Sequence, residues 1–167
     1  GIYSPSVTGE SFPLAPPAFT IIKGESRQGV VLDAENTSRV FLLEENQVEI
    51  SDMTITGGIG GRIYCSYSNQ KLKNLLVAGN TTSGNGGGIN CRASKTGFEN
   101  VTITGNTAGK GGGVYFEEHS VPVFDPINRS NIYFNNAPYG KDLYAASAVN
   151  VVLDTFTVQY PTAYFAS

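Results

Sequence analysis

The chain writes nearly the same phrase twice: "GNTTSGNGGGINC" at 79–91 and, 26 residues on, "GNTAGKGGGVYF" at 105–116. A catalytic loop is normally written once, whereas a phrase that recurs at a near-constant interval is a building block. Aligned on the glycine before the second apolar run, the units fall on Gly60, Gly86, Gly111 and Gly140, at intervals of 26, 25 and 29. Each glycine stands three residues before an aliphatic residue: Ile63, Ile89, Val114 and Leu143. Upstream of three of them lie "VAGN", "ITGN" and "IYFN", ending on Asn80, Asn106 and Asn135. A unit therefore reads strand, Asn turn, Gly-rich turn, strand, variable loop.

The strands alternate. Ile63 and Cys65 oppose Tyr64; Ile89 and Cys91 oppose Asn90; Val114 and Phe116 oppose Tyr115. Val101 and Ile103 oppose Thr102 and Thr104, and Met53 and Ile55 oppose Thr54 and Thr56. Alternation gives each strand one apolar and one polar face. A period of about 25 residues with short strands and no helical pattern predicts a coil of parallel strands in which each unit is one rung. The expectation is an all-β chain: one right-handed parallel β-helix of roughly six rungs spanning 1–167 as a single domain. Its predicted core rows are Phe41–Ile63–Ile89–Val114–Leu143 and Leu43–Cys65–Cys91–Phe116–Ala145. A second sheet adds Met53, Leu75, Val101, Ile55, Val77, Ile103 and Ile132. The glycines make corners where a Cβ would clash or φ is positive, and Gly109, in the preceding turn, is expected to tolerate Ala better than Gly111 tolerates Val. The asparagines are expected to stack at the opposite corner and hydrogen-bond along the axis.

Composition narrows the function. Only 15% of residues are charged, the net charge is -3, and there is no basic run. Phosphate-driven nucleic-acid binding is therefore not expected. No apolar run reaches the roughly 18 residues of a membrane span. The Gly run "GNGGGI" follows a strand, but no amphipathic helix comes after it, so it lacks the helix N-terminus of a phosphate cradle.

The paired aliphatic-x-x-Asn and Gly-Gly-Gly-(Ile/Val) motifs resemble the repeats of polymorphic outer-membrane proteins and related bacterial surface proteins. More broadly, the chain resembles the right-handed parallel β-helices of the pectin-lyase-like superfamily. Its opening "GIYSPSVTGESFPL" and the following "FTIIKGESRQGVVLDAENTSRVFLLEENQVEISDMTITGG" resemble their N-terminal rungs. The resemblance implies an extracellular or cell-surface location. It leaves activity open, because that superfamily holds lyases, hydrolases and adhesins. The lyases' Asp-rich calcium site and the hydrolases' paired carboxylates map onto no residues of this chain, so no catalytic residue, metal site or cofactor is assigned.

Tyr64, Asn90, Tyr115 and Tyr144 share one outward column, a candidate surface for carbohydrate or a protein partner, or ordinary strand surface. Cys65 and Cys91, one repeat apart and inward, are either buried free thiols or a disulfide. His119, the only histidine, lies near Glu117, Glu118 and Asp125 in the longest loop; that segment is an acid–base or metal site, or an exposed insertion. Sequons occur at Asn36, Asn80, Asn100 and Asn128. An open stack exposes its end rungs. Phe156, Val158, Tyr164 and Phe165 are therefore expected to meet a second copy or further segments of the same polypeptide, the chain being expected to be a processed or trimmed segment of a longer extracellular protein. The leading expectation is a non-catalytic adhesive or structural module; the alternative is a carbohydrate-active enzyme or a fragment of one.

Overall fold

The computed structural model describes residues 1–45 and 47–156. The chain opens with β1 (Ile2–Tyr3), a four-residue helix α1 (Pro5–Thr8), β2 (Ile21–Lys23), β3 (Val31–Asp33) and β4 (Phe41–Leu43). Then come β5 (Val48–Thr56), β6 (Ile63–Ser66), β7 (Asn69–Ala78), β8 (Ile89–Arg92), β9 (Lys95–Glu99) and β10 (Thr102–Thr104). β11 (Val114–Phe116), β12 (Val123–Phe124), β13 (Ser130–Tyr133), β14 (Leu143–Ala145) and β15 (Leu153–Phe156) complete the described strands. Every strand pair is parallel and joins neighbouring turns of the coil. The result is a β-solenoid of about six turns.

The coil has three faces. β5 and β7 bend at Asp52 and Asn74, which have φ of 58° and 48°, and Asn100 (φ 51°) separates β9 from β10 at the same corner. Before this bend, β2, β5, β7, β9 and β12 form the first face. After it, β1, β3, β5, β7, β10, β13 and β15 form the second. β4, β6, β8, β11 and β14 form the third.

Side-chain phase follows the alternation in the sequence. On the third face, Phe41, Ile63, Ile89, Val114 and Leu143 stand in register, as do Leu43, Cys65, Cys91, Phe116 and Ala145. All are buried except Leu143 and Ala145 in the last turn, which are half-buried. On the second face, Ile55, Val77, Ile103 and Ile132 form a fully buried row. The first face contributes Ile50, Leu72, Phe98 and Phe124. Phe98 and Phe124 stack with centroids 4.7 Å apart, and Phe116 meets Phe98 edge-on at 6.0 Å. Each fully buried Leu, Ile or Phe contributes about 1.5–3 kcal/mol, so these rows carry the fold.

Two amide ladders hold the corners. In the inner one, Asn80 Nδ2 donates to Asn106 Oδ1 (2.7 Å) and Asn106 Nδ2 to Asn135 Oδ1 (2.9 Å). Asn135 Nδ2 donates to Asp142 Oδ1 (3.0 Å). The same acceptors take the backbone N–H of the preceding asparagine. A carboxylate only accepts, so Asp142 is a fitting terminus for a chain of amide donors. In the outer ladder, Asn100 Nδ2 donates to Asn74 Oδ1 (3.1 Å) and Asn74 Nδ2 to Asp52 Oδ1 (2.5 Å). It too ends on a carboxylate, at the other end of the coil.

One expectation is corrected here. The inner asparagines do not oppose the glycine corner but share it. A Cβ on Gly88 would fall 3.2 Å from Asn106 Nδ2, and one on Gly113 2.9 Å from Asn135 Nδ2. Glycine is required there because the next rung's carbonyl (Gly113 O at 2.8 Å, Asp142 O at 2.5 Å) and the amide together fill the space. Gly109 is also tighter than its turn suggests, since an added Cβ would sit 2.6 Å from the Ser83 carbonyl oxygen of the preceding rung.

At the N-terminal end of the inner ladder the repeat lacks its asparagine, and Gly58 stands in that position. Arg62 fills the gap, its Nη1 lying 2.2 Å from where a Gly58 Cβ would be. The side chain is fully buried and donates from Nη2 to Thr81 O (3.3 Å). Burial pulls its pKa down to about 10, against the opposing pull of Asp33. The first turn is closed by α1, whose N-cap Ser4 donates to Glu35 Oε1 (2.7 Å).

Candidate functional site

The Tyr column exists as an aligned row: Tyr64, Asn90, Tyr115 and Tyr144 occupy one register on the third face, all half-buried. Tyr115 and Tyr144 stack on each other at 5.3 Å and 8°. Arg39 lies over Tyr64 at 4.7 Å and Lys110 over Tyr144 at 5.4 Å. The rings thus already pair with each other and with cations, as strand surface residues do. Burial, followed by the nearby Glu117, raises the Tyr115 phenol above its ordinary range, so it stays neutral.

Beside this column is a cavity of about 410 Å³, lined by Tyr67, Arg92, Tyr115, Glu117, Glu118 and His119 among others. Three turn residues there, Tyr67, Ala93 and His119, have left-handed φ of 51°, 43° and 66°. Arg92 pairs with Glu117 at 3.3 Å and lies over Tyr67 at 5.3 Å. The His119 loop is thus brought beside Tyr115 of the column, while Asp125 lines the cavity on the first face. Among the described residues, no three His, Cys, Asp or Glu side chains are grouped to hold a metal ion.

The larger cavity, about 790 Å³, lies on the first face. Its outward column runs Ile21, Glu49, Lys71, Gly97, Val123 over five turns. Lys71 Nζ stands between Glu49 (3.8 Å) and Glu99 (3.4 Å), and Lys73 Nζ is 2.9 Å from Glu99. The Lys73 hydrogen bond holds the Glu99 carboxyl below the usual carboxylate range. Phe19 and Ile21 at one rim, and Val123 at the other, are exposed. Sequence reasoning missed this groove. Its signal was present in the bends Asp52, Asn74 and Asn100, because counting three residues back from each gives Glu49, Lys71 and Gly97.

Cys65 and Cys91 are register partners, 0% and 1% exposed, and both are free thiols. Hydrogen bonding to Cys91, then burial, holds the Cys65 thiol well above its ordinary range, which leaves it unreactive. Of the sequons, Asn80 is fully buried in the inner ladder and closed to glycosylation in the folded chain, whereas Asn36, Asn100 and Asn128 are exposed. Phe156 ends β15, with its backbone in register with Ile132. Val158, Tyr164 and Phe165 lie outside the described residues. No helix among the described residues is long and apolar enough to cross a membrane.

The chain matches no protein-family model, no curated protein and no solved structure.

Proposed function

We propose that the chain is a non-catalytic extracellular module, adhesive or structural, of a surface or secreted protein. The state of the carboxylates in the larger cavity carries this reading. Two-carboxylate hydrolysis needs one carboxyl raised so that it stays protonated near neutral pH. Glu99 is pushed the other way by Lys73, and Glu49 is ion-paired to Lys71. The resemblance of the repeats to polymorphic outer-membrane proteins and pectin-lyase-like β-helices, together with the low charge, supports the surface location.

A second reading has one observation in its favour: the smaller cavity gathers Glu117, Glu118 and His119 beside Tyr115. It makes the chain a carbohydrate-active enzyme. Incubation with acidic and neutral polysaccharides, followed by assays for new reducing ends and unsaturated products, separates the two. The module reading expects no product. Steady turnover that is lost in Glu118→Gln or His119→Ala would replace it with the enzyme.

A further inference from the structure

We propose that the first-face groove binds a neutral polysaccharide chain, laid between its two apolar rims. This rests on the module reading and supplies the ligand that reading lacks. The decisive residue is Gly97, fourth of the five positions in the outward column, between Lys71 and the rim residue Val123 on neighbouring turns. The glycine triplets 86–88 and 111–113 of the Asn corner are demanded by their backbone or their neighbours, but Gly97 is not. Its φ is not left-handed, and an added Cβ would meet nothing closer than Gln70 O at 3.7 Å, an ordinary contact. Glycine weakens a strand and marks a bulge, a bend or a close approach by something else; the register runs unbroken through Gly97, which leaves the close approach. Its missing side chain opens the groove floor beside the Val123 rim.

The rims point the same way. Phe19 is 74% exposed at φ 63°, a left-handed conformation that a bulky residue rarely adopts. With Ile21 it forms one rim, and Val123 lies on the other, four rung steps or roughly 19 Å away. A flat apolar ring at a rim suits the C–H face of a sugar.

The floor selects against other ligands. Its charges are mixed in sign: Glu49, Lys71 and Glu99 pair with one another, and Lys95 and Asp125 add one of each sign. A polyanion meets the carboxylates and a polycation the lysines, so neither gains from the field. A dry protein partner would strip water from these partly exposed ions and return no equivalent hydrogen bonds. Sugar hydroxyls both donate and accept, and so replace water at carboxylate and ammonium alike.

The test is affinity electrophoresis of the intact chain in gels containing a neutral β-glucan, mannan or galactan, or an acidic polygalacturonate. Retardation by at least one neutral polymer is expected, changing little from about 0.05 to 0.5 M NaCl. Phe19→Ala and Gly97→Leu should each weaken it at least tenfold while melting like the parent. Retardation by no polymer, or only by the acidic one, overturns the proposal. So does retardation that survives both variants but is lost in Tyr115→Ala; that result moves the site to the Tyr column and leaves the module reading intact. Product released from a retained polymer would instead defeat the non-catalytic reading, and the two groove variants would still decide the site.

Discussion

Gly97 and Gly111 lie in the same turn of the coil, one inside a strand of the first face and the other at the Asn corner. Gly111 sits at φ +61°, and a Cβ there would fall 2.3 Å from the Val114 carbonyl oxygen. Its counterparts Gly86 and Gly140 repeat the arrangement against Ile89 and Leu143. Gly97 has neither the backbone strain nor the neighbour. The Asn corner is therefore written by necessity: its glycine triplets are fixed by their own rung and by the next, and the phrase repeats because the geometry repeats. The first face is free to differ from turn to turn, reading Ile, Glu, Lys, Gly and Val down one column. In a solenoid the strictly repeated positions build the coil, and the unrepeated outward positions are those left for recognition.

This contrast has graded consequences. Gly111→Val should be the most damaging change, costing upwards of about 4 kcal/mol, because it combines a left-handed β-branched residue with a backbone clash. Gly97→Val should shift stability by less than about 1 kcal/mol. At roughly 2–4 °C per kcal/mol for a chain of this size, thermal melts resolve the two, and equal losses would erase the distinction.

The two ladders differ next. Asn106→Ala removes four side-chain hydrogen bonds and leaves the buried N–H and Nδ2 of Asn80 without their Asn106 acceptor, at a cost of about 3 kcal/mol. Asn100→Ala, on the exposed outer ladder, should cost about 0.5–1 kcal/mol, because water replaces the lost partner. Urea midpoints measure both.

The smallest effect belongs to the groove floor. The folded-state pKa of Glu99 is depressed, so its ion pair stabilises fully above the ordinary carboxylate range and the contribution fades as pH falls below about 4. The pair is partly solvated, which limits it to about a few tenths of a kcal/mol. Lys73→Met should remove that increment of acid sensitivity from urea melts at pH 3 and pH 6.

Much of this was legible in the sequence. Alternation fixed the phase of the core rows, and the glycine spacing fixed their register, because stacked rungs must bring like positions together. The inner asparagines were readable as a ladder, but their side was not: only packing shows that Asn106 occupies the space vacated by Gly88. Arg62 and Asp142 occupy the rung positions that glycines 88 and 113 fill in between, so their roles at the two ends of one ladder depend on a contact no spacing displays. The groove escaped because its residues share a column but no residue type.

Whether the repeated phrase is scaffold depends on which face its side chains take. Cys65 and Cys91 report this without any substitution. A bulky maleimide added to the folded chain should label neither thiol faster than the chain unfolds, and both promptly in denaturant. Labelling of either in the native state at the rate of an exposed thiol would turn the strands by one residue and place the presumed core on the surface.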